Sequence, residues 1–136
     1  MVDPIGVSVA DFGRSKAFYE QALKPLGLSV VMAVTAVETG ADAHAGFGAS
    51  GKPFFWIGTG PKPKGGTHVA FAAKARADVD DFHRAALAAG GADNGAPGPR
   101  PHYHPNYYGA FVLDPDGNNV EAVCHTPAWT SRSERL

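Results

Sequence analysis

At 136 residues the chain has the length of one domain, enough to bury roughly two thirds of its unfolded surface and so to hold a core without staples. Its 12 Lys and Arg against 13 Asp and Glu give a net charge of −1, and no basic run is interleaved with aromatics, which argues against a nucleic-acid partner. The single Cys124 excludes an internal disulfide, no apolar run nears the roughly 18 residues of a membrane span, and "MVDPIGVSVADF" lacks the basic start of a signal peptide; a cytoplasmic protein is expected.

In chain order, "PIGVSVA" (4–10) alternates as a strand does, and the spacing then turns helical. Asp11 is a candidate N-cap, Phe18, Ala22 and Leu26 fall on one stripe, and Gly27 stops the helix. "LSVVMAVT", "HAGFGA" and "PFFWIG" follow as short strands between turns, and "GPKPKGG" (60–66) reads as a turn solubilised by two lysines. "HVAFAAK" (68–74) opens a second strand and helix. Val79, Phe82 and Ala86 form the stripe of that helix, Asp78, Asp80 and Asp81 sit in its first turn, where the helix dipole favours negative charge, and Gly90 and Gly91 end it. A poorly defined strand near 92–96, then "YYGAFVL" and "NNVEAVC", complete the set, and the tail 126–136 lacks periodicity, with Trp129 able to pin it.

The two halves echo each other. Residues 4–27 and 68–91 align without a gap at an offset of 64, bringing Phe18 onto Phe82, Ala22 onto Ala86, Leu23 onto Leu87 and Gly27 onto Gly91. Each half reads as βαβββ, too small to bury its sheet alone. The expected fold class is α+β: two βαβββ modules in tandem, about 4–60 and 66–125, forming one domain over 1–125 with a half-open cleft.

Several side chains stand out. Glu121 interrupts the apolar strand "NNVEAVC", so it is paired, solvent-facing or functional. On "PFFWIG", Phe55 and Ile57 share one face and Phe54 and Trp56 the other, so one aromatic set packs in the core while the other lines a ligand pocket. "DPDG" (114–117) lacks the further ligands of a calcium loop and reads as a turn, with Gly117 at positive φ. His44, His83 and His125 read as surface residues. "GPRPHYHPNYYG" (98–109) holds Pro99, Pro101 and Pro105, which restrict φ and remove donors, so it forms a semi-rigid loop. If that loop is extended, His102 and His104 project to one side. An Arg100, His102 and Tyr108 set suits an anionic or phenolic small molecule, and a merely stacked surface loop is the alternative.

The layout, with "VADFGRSKAFYEQAL" near the start and "LDPDGNNVEAV" near the end, closely resembles the vicinal oxygen chelate superfamily, which includes glyoxalase I, bleomycin-resistance proteins, fosfomycin-resistance enzymes and extradiol dioxygenases. The resemblance covers about residues 4–125. It implies ligands for a divalent metal (Zn, Fe, Mn or Ni) on the first and last strand of each module, and no organic cofactor. In module two these positions hold His68 and Glu121. In module one Pro4 takes the place of a histidine and has no donor atom, and Phe55 or Ile57 stands where a second ligand belongs. A catalytic metal usually has three protein ligands, so a third must come from elsewhere, with His104 the choice.

The resemblance thus implies a lyase, isomerase or dioxygenase acting on an oxygen-rich or aromatic small molecule. In that reading His68 and Glu121 are catalytic, His68, Glu121 and His104 bind the metal, and Arg100, His102, Tyr108, Phe55 and Trp56 contact substrate. Two other readings stay open: a metal-free protein that sequesters a planar hydrophobic compound, and a metal-free enzyme using Glu121 or His68 as acid or base. By analogy the chain forms a homodimer.

Overall fold

The computed structural model describes residues 4–34, 43–60 and 67–127. Trp129 and the lysines of "GPKPKGG" lie outside these residues. Module one consists of β1 (Ile5–Val9), α1 (Phe12–Ala22), a 3-10 turn (Lys24–Leu26), β2 (Ser29–Val34), β3 (His44–Ala49) and β4 (Lys52–Thr59). Module two repeats the order with β5 (His68–Ala72), α2 (Arg76–Ala88), β6 (Ala92–Pro99), β7 (Tyr108–Leu113) and β8 (Asn119–Cys124).

Each module closes its own four-stranded sheet, in the order β1-β4-β3-β2 and β5-β8-β7-β6. The first strand of each runs parallel to the last, and the other pairs are antiparallel. A parallel neighbour needs a long crossover, and the helix and two intervening strands supply it. The fold is therefore α+β with two tandem βαβββ modules, as the repeat predicts.

Local chemistry explains the element ends. Asp11 caps α1 by accepting from the Arg14 amide at 3.1 Å, and Gly27 ends the following turn at φ 78°. Phe18, Tyr19 and Ala22 of α1 and Val79, Phe82 and Ala86 of α2 are buried in one core with Val7, Val9, Phe55 and Ile57 of sheet one and Val69, Phe71, Val120 and Ala122 of sheet two. Period-two alternation therefore gives each sheet a core face under its helix and an opposite, helix-free face.

One strand is longer than its sequence suggests. β6 extends past 96 to Pro99, although Pro97 and Pro99 lie in it. It is an edge strand, so prolines there remove no bond that a neighbour needs, and its register shifts twice against β7.

The two motifs that carry the family resemblance touch each other. The Tyr19 hydroxyl donates to Asp114 Oδ2 at 2.5 Å, while Asp116 accepts from the Ala10 amide at 3.2 Å and from Ser15 Oγ at 3.4 Å. Asp114 also accepts from the amides of Asp116 and Asn118 and from Asn118 Nδ2. Gly117 takes φ 86°, as the turn requires. "DPDG" is thus a buried polar clasp between the modules. Burial first, then Asp114, holds the Tyr19 hydroxyl protonated well above the ordinary tyrosine range.

Candidate functional site

The helix-free face of sheet two carries the most reactive arrangement. β5 and β8 run in register with His68 opposite Asn119 and Ala70 opposite Glu121, so His68 and Glu121 lie one step apart on the same face. His68 Nε2 stands 2.7 Å from Glu121 Oε1. The other carboxylate oxygen, Oε2, accepts from the Tyr107 hydroxyl. Glu121 is only 1% exposed, whereas the side chain of His68 is 47% exposed. A carboxylate this buried needs donors, and it has one on each oxygen.

Tyr107 is the residue that sequence reasoning passed over. It ends the proline-rich loop one residue before β7, and extending the alternation of that strand backward places Tyr107 with Gly109 and Phe111 on the face of Glu121. Gly109 leaves the room: a Cβ there would lie 3.1 Å from the Tyr107 ring and 3.4 Å from Glu121 Oε2. Burial, then the bond to Glu121, raises the Tyr107 pKa well above the ordinary tyrosine value, so its hydroxyl stays a donor.

Arg100 and Phe111 border this pair. The guanidinium donates to the carbonyls of Gly98 at 2.7 Å and Ala96 at 2.9 Å and lies 5.5 Å from the centre of the Phe111 ring. Phe111 pairs with Glu121 across the ladder, and its ring stands 6.2 Å from that of His68. Arg100 has no carboxylate partner among the described residues, so its charge is available beside the pair.

The other residues singled out in the sequence are placed elsewhere. Tyr108 projects to the core face of β7, where its hydroxyl meets Asp80 Oδ1 at 2.6 Å and Arg76 covers its ring at 4.8 Å. Burial, then Asp80, pushes its pKa up to about 12. The His102 ring lies 4.2 Å from that of Tyr103, tilted by 53°. His104 accepts from the Asn106 amide through Nδ1 and meets the His125 ring edge-on at 5.5 Å, and His125 in turn meets the Tyr107 ring at 5.3 Å. Phe55 is a core residue, 5.0 Å from Phe71 and 5.1 Å from Tyr19, so on β4 the side chains turned outward are Phe54 and Trp56. Phe54 and Phe55, with Ile5, Val69, Ala70 and Phe71, line an apolar pocket of about 200 Å³ between the modules.

Among the described residues no three His, Cys, Asp or Glu side chains come together in a way that would hold a metal ion. His68 and Glu121 are two donors, and Glu121 already accepts on both oxygens. A closed set of three within the described residues does not fit. His83, expected at the surface, pairs with Asp93 at 2.9 Å, and this contact, with the Gly95 amide, lowers the Asp93 pKa. No helix among the described residues is long and apolar enough to cross a membrane.

Other proteins share the fold that carries these residues. The family model of the Glyoxalase/Bleomycin resistance protein/Dioxygenase superfamily matches residues 1–122. A glyoxalase/bleomycin resistance protein from Albidiferax ferrireducens T118 superposes with a TM-score of 0.71 at 28% identity, over 91% of this chain and 98% of that one. A glyoxalase I variant from Zea mays has a TM-score of 0.68 at 23% identity, over 98% of this chain and 48% of that one. A genomically encoded fosfomycin resistance protein from Listeria monocytogenes has a TM-score of 0.65 at 17% identity, over 100% of this chain and 96% of that one. The last two share the fold. No curated protein matches the chain. With the family model covering nearly the whole chain and a repeat that folds into paired βαβββ modules, the chain belongs to the glyoxalase/bleomycin resistance protein/dioxygenase superfamily.

Proposed function

We propose that the chain is a small-molecule enzyme of the glyoxalase type, moving a proton on an oxygen-rich substrate over the helix-free face of sheet two. The observation that carries this reading is the buried Glu121 carboxylate bonded to the half-exposed ring of His68. With Nε2–H donating to Glu121, the free nitrogen of His68 is Nδ1, which has no partner among the described residues and accepts the substrate proton. Glu121 fixes the tautomer and the ring orientation, and Tyr107 holds Glu121. Arg100, beside Phe111, attracts an oxyanion or enolate as charge develops. In this reading His102 and Tyr108 do not contact the substrate.

Divalent-metal dependence, the other expectation, requires a third donor besides His68 and Glu121, from a second chain of the expected homodimer or from residues outside those described. The geometry around His104 gives it no support.

The test is proton exchange in heavy water, followed by proton NMR, with hydroxyacetone and dihydroxyacetone as probes carrying vicinal oxygens. Exchange accelerated by the wild-type chain and abolished in His68→Ala supports the reading. Exchange that His68→Ala leaves intact, or that appears only with added Zn²⁺, Fe²⁺, Mn²⁺ or Ni²⁺ and vanishes with a chelator, overturns it. The apolar pocket of about 200 Å³ favours a second reading, retention of a planar hydrophobic compound without chemistry. Saturable binding of such a compound without exchange of any probe would select it.

A further inference from the structure

β6 holds a chemically labile pair that the proton-transfer reading does not use. Asn94 is followed by Gly95, and none of the other asparagines, Asn106, Asn118 and Asn119, precedes a glycine. The side-chain amide of an asparagine is open to attack by the next backbone nitrogen, and a glycine there places no Cβ in the way. A regular strand resists that attack by holding its backbone extended in the ladder.

Here the strand is not regular. β6 is an edge of sheet two, and its register against β7 shifts between Asp93 and Gly95 and again between Gly95 and Gly98. Such irregularities disrupt a ladder locally. Gly95 takes φ 152°, and its amide donates to the side chain of Asp93 at 3.0 Å. Asn94 is exposed, and among the described residues its side chain makes one bond, from Nδ2 to Asn119 Oδ1 at 3.2 Å. Packing keeps the glycine in place, since a Cβ on Gly95 would lie 2.9 Å from the Phe111 ring. Asn118, by contrast, is buried and bonded to Asp114 through both its backbone and its side-chain nitrogen.

We propose that Asn94 is a site of spontaneous deamidation in the folded chain, converting an amide on β6 into a carboxylate as the protein ages. The Gly95 nitrogen attacks Asn94 Cγ and forms an N–C bond. The Cγ–Nδ2 bond breaks, and ammonia leaves with the proton given up by the Gly95 amide. Water then opens the cyclic imide at either carbonyl, giving aspartate or isoaspartate at position 94. The bond to Asn119, two residues before Glu121 on β8, places the Asn94 side chain on the helix-free face. The new charge therefore arises on the face of Arg100, whose Nη2 would lie 3.4 Å from a Cβ on Gly95. Isoaspartate also adds one carbon to the backbone where the register already slips. The site does not rest on the proton-transfer reading.

The experiment ages the full chain in warm, mildly alkaline water enriched in oxygen-18, followed by peptide mass spectrometry and by methylation with a protein isoaspartate methyltransferase. Position 94 should gain three mass units and accept methyl groups, while Asn106, Asn118 and Asn119 react about tenfold more slowly or less. The folded chain should react at position 94 within about tenfold of the rate in urea, because the broken ladder there adds little to the barrier. Asn94→Gln, which needs a larger ring, should lose both signals. The proposal falls if position 94 gains mass only in urea, if it gains mass without accepting methyl groups, since no cyclic imide would then have formed, or if Asn94→Gln accepts methyl groups as the wild type does.

Discussion

Trp56 stands in module one where Glu121 stands in module two. Gly6 pairs with Trp56 across the parallel β1 and β4 ladder as Ala70 pairs with Glu121 across β5 and β8, and Gly6 corresponds to Ala70 in the 64-residue repeat. A duplicated scaffold thus presents an indole on one sheet and a buried carboxylate on the other. Pro4 and His68 differ in the same way, so the donor atoms are concentrated in module two.

Tyr107→Phe removes the donor on one oxygen of that carboxylate. A hydrogen bond to a charged group contributes about 1.5–3 kcal/mol, and the lower end applies here because Tyr107 is only half-buried. The urea midpoint should fall accordingly, with faster proteolysis within residues 100–107. An unchanged midpoint would show that the loop does not depend on this bond.

The clasp between the modules should be graded. Tyr19→Phe removes one of four donors to Asp114 and is expected to cost about 1–3 kcal/mol, whereas Asp114→Ala frees all four and should cost about 3–5 kcal/mol. Urea denaturation compares them, and equal losses would mean that the tyrosine bond accounts for all that Asp114 contributes.

Two glycines of sheet one should behave oppositely. A Cβ on Gly48 would lie 2.0 Å from the Lys52 carbonyl oxygen, a backbone atom that cannot move aside, so Gly48→Ala should destabilise by about 2 kcal/mol or more. Gly6→Ala meets nothing and should stabilise by about 0.5–1 kcal/mol through the unfolded chain. Thermal melts of the pair decide the point.

Alkaline pH should weaken the fold through Tyr108. Its folded pKa, about 12, lies above the ordinary 10.0, so the folded chain keeps a proton that the unfolded chain loses. The stability contributed is complete below about pH 10 and is lost as the pH rises toward 12. Urea midpoints at about pH 9 and about pH 11 should differ less in Tyr108→Phe than in the wild type, and an identical difference would discount the Asp80 bond.

Much of the fold was legible because it rests on local chemistry. Asp11 starts the first helix as the sequence predicts, although that helix ends at Ala22 and Gly27 closes the 3-10 turn after it; Gly117 marks the turn, and the 64-residue repeat reveals both modules. His68 and Glu121 were legible as positions, though not as a bonded pair. Tyr107 and Tyr108 were harder, because neighbouring residues on a strand face opposite ways and a one-residue choice of where the strand begins exchanges their surroundings. The same alternation separated Phe55 from Trp56 but left open which would be buried; packing under α1 decided it.

What the sequence determined by itself was the set of elements, their order and the duplication, since caps, turns and periodicity act over a few residues. Only the tertiary structure decided that His68, Glu121 and Tyr107 form one hydrogen-bonded chain while His104 turns to His125. Those contacts join residues up to 53 positions apart, or depend on how a proline-stiffened loop folds back, and neither follows from local spacing.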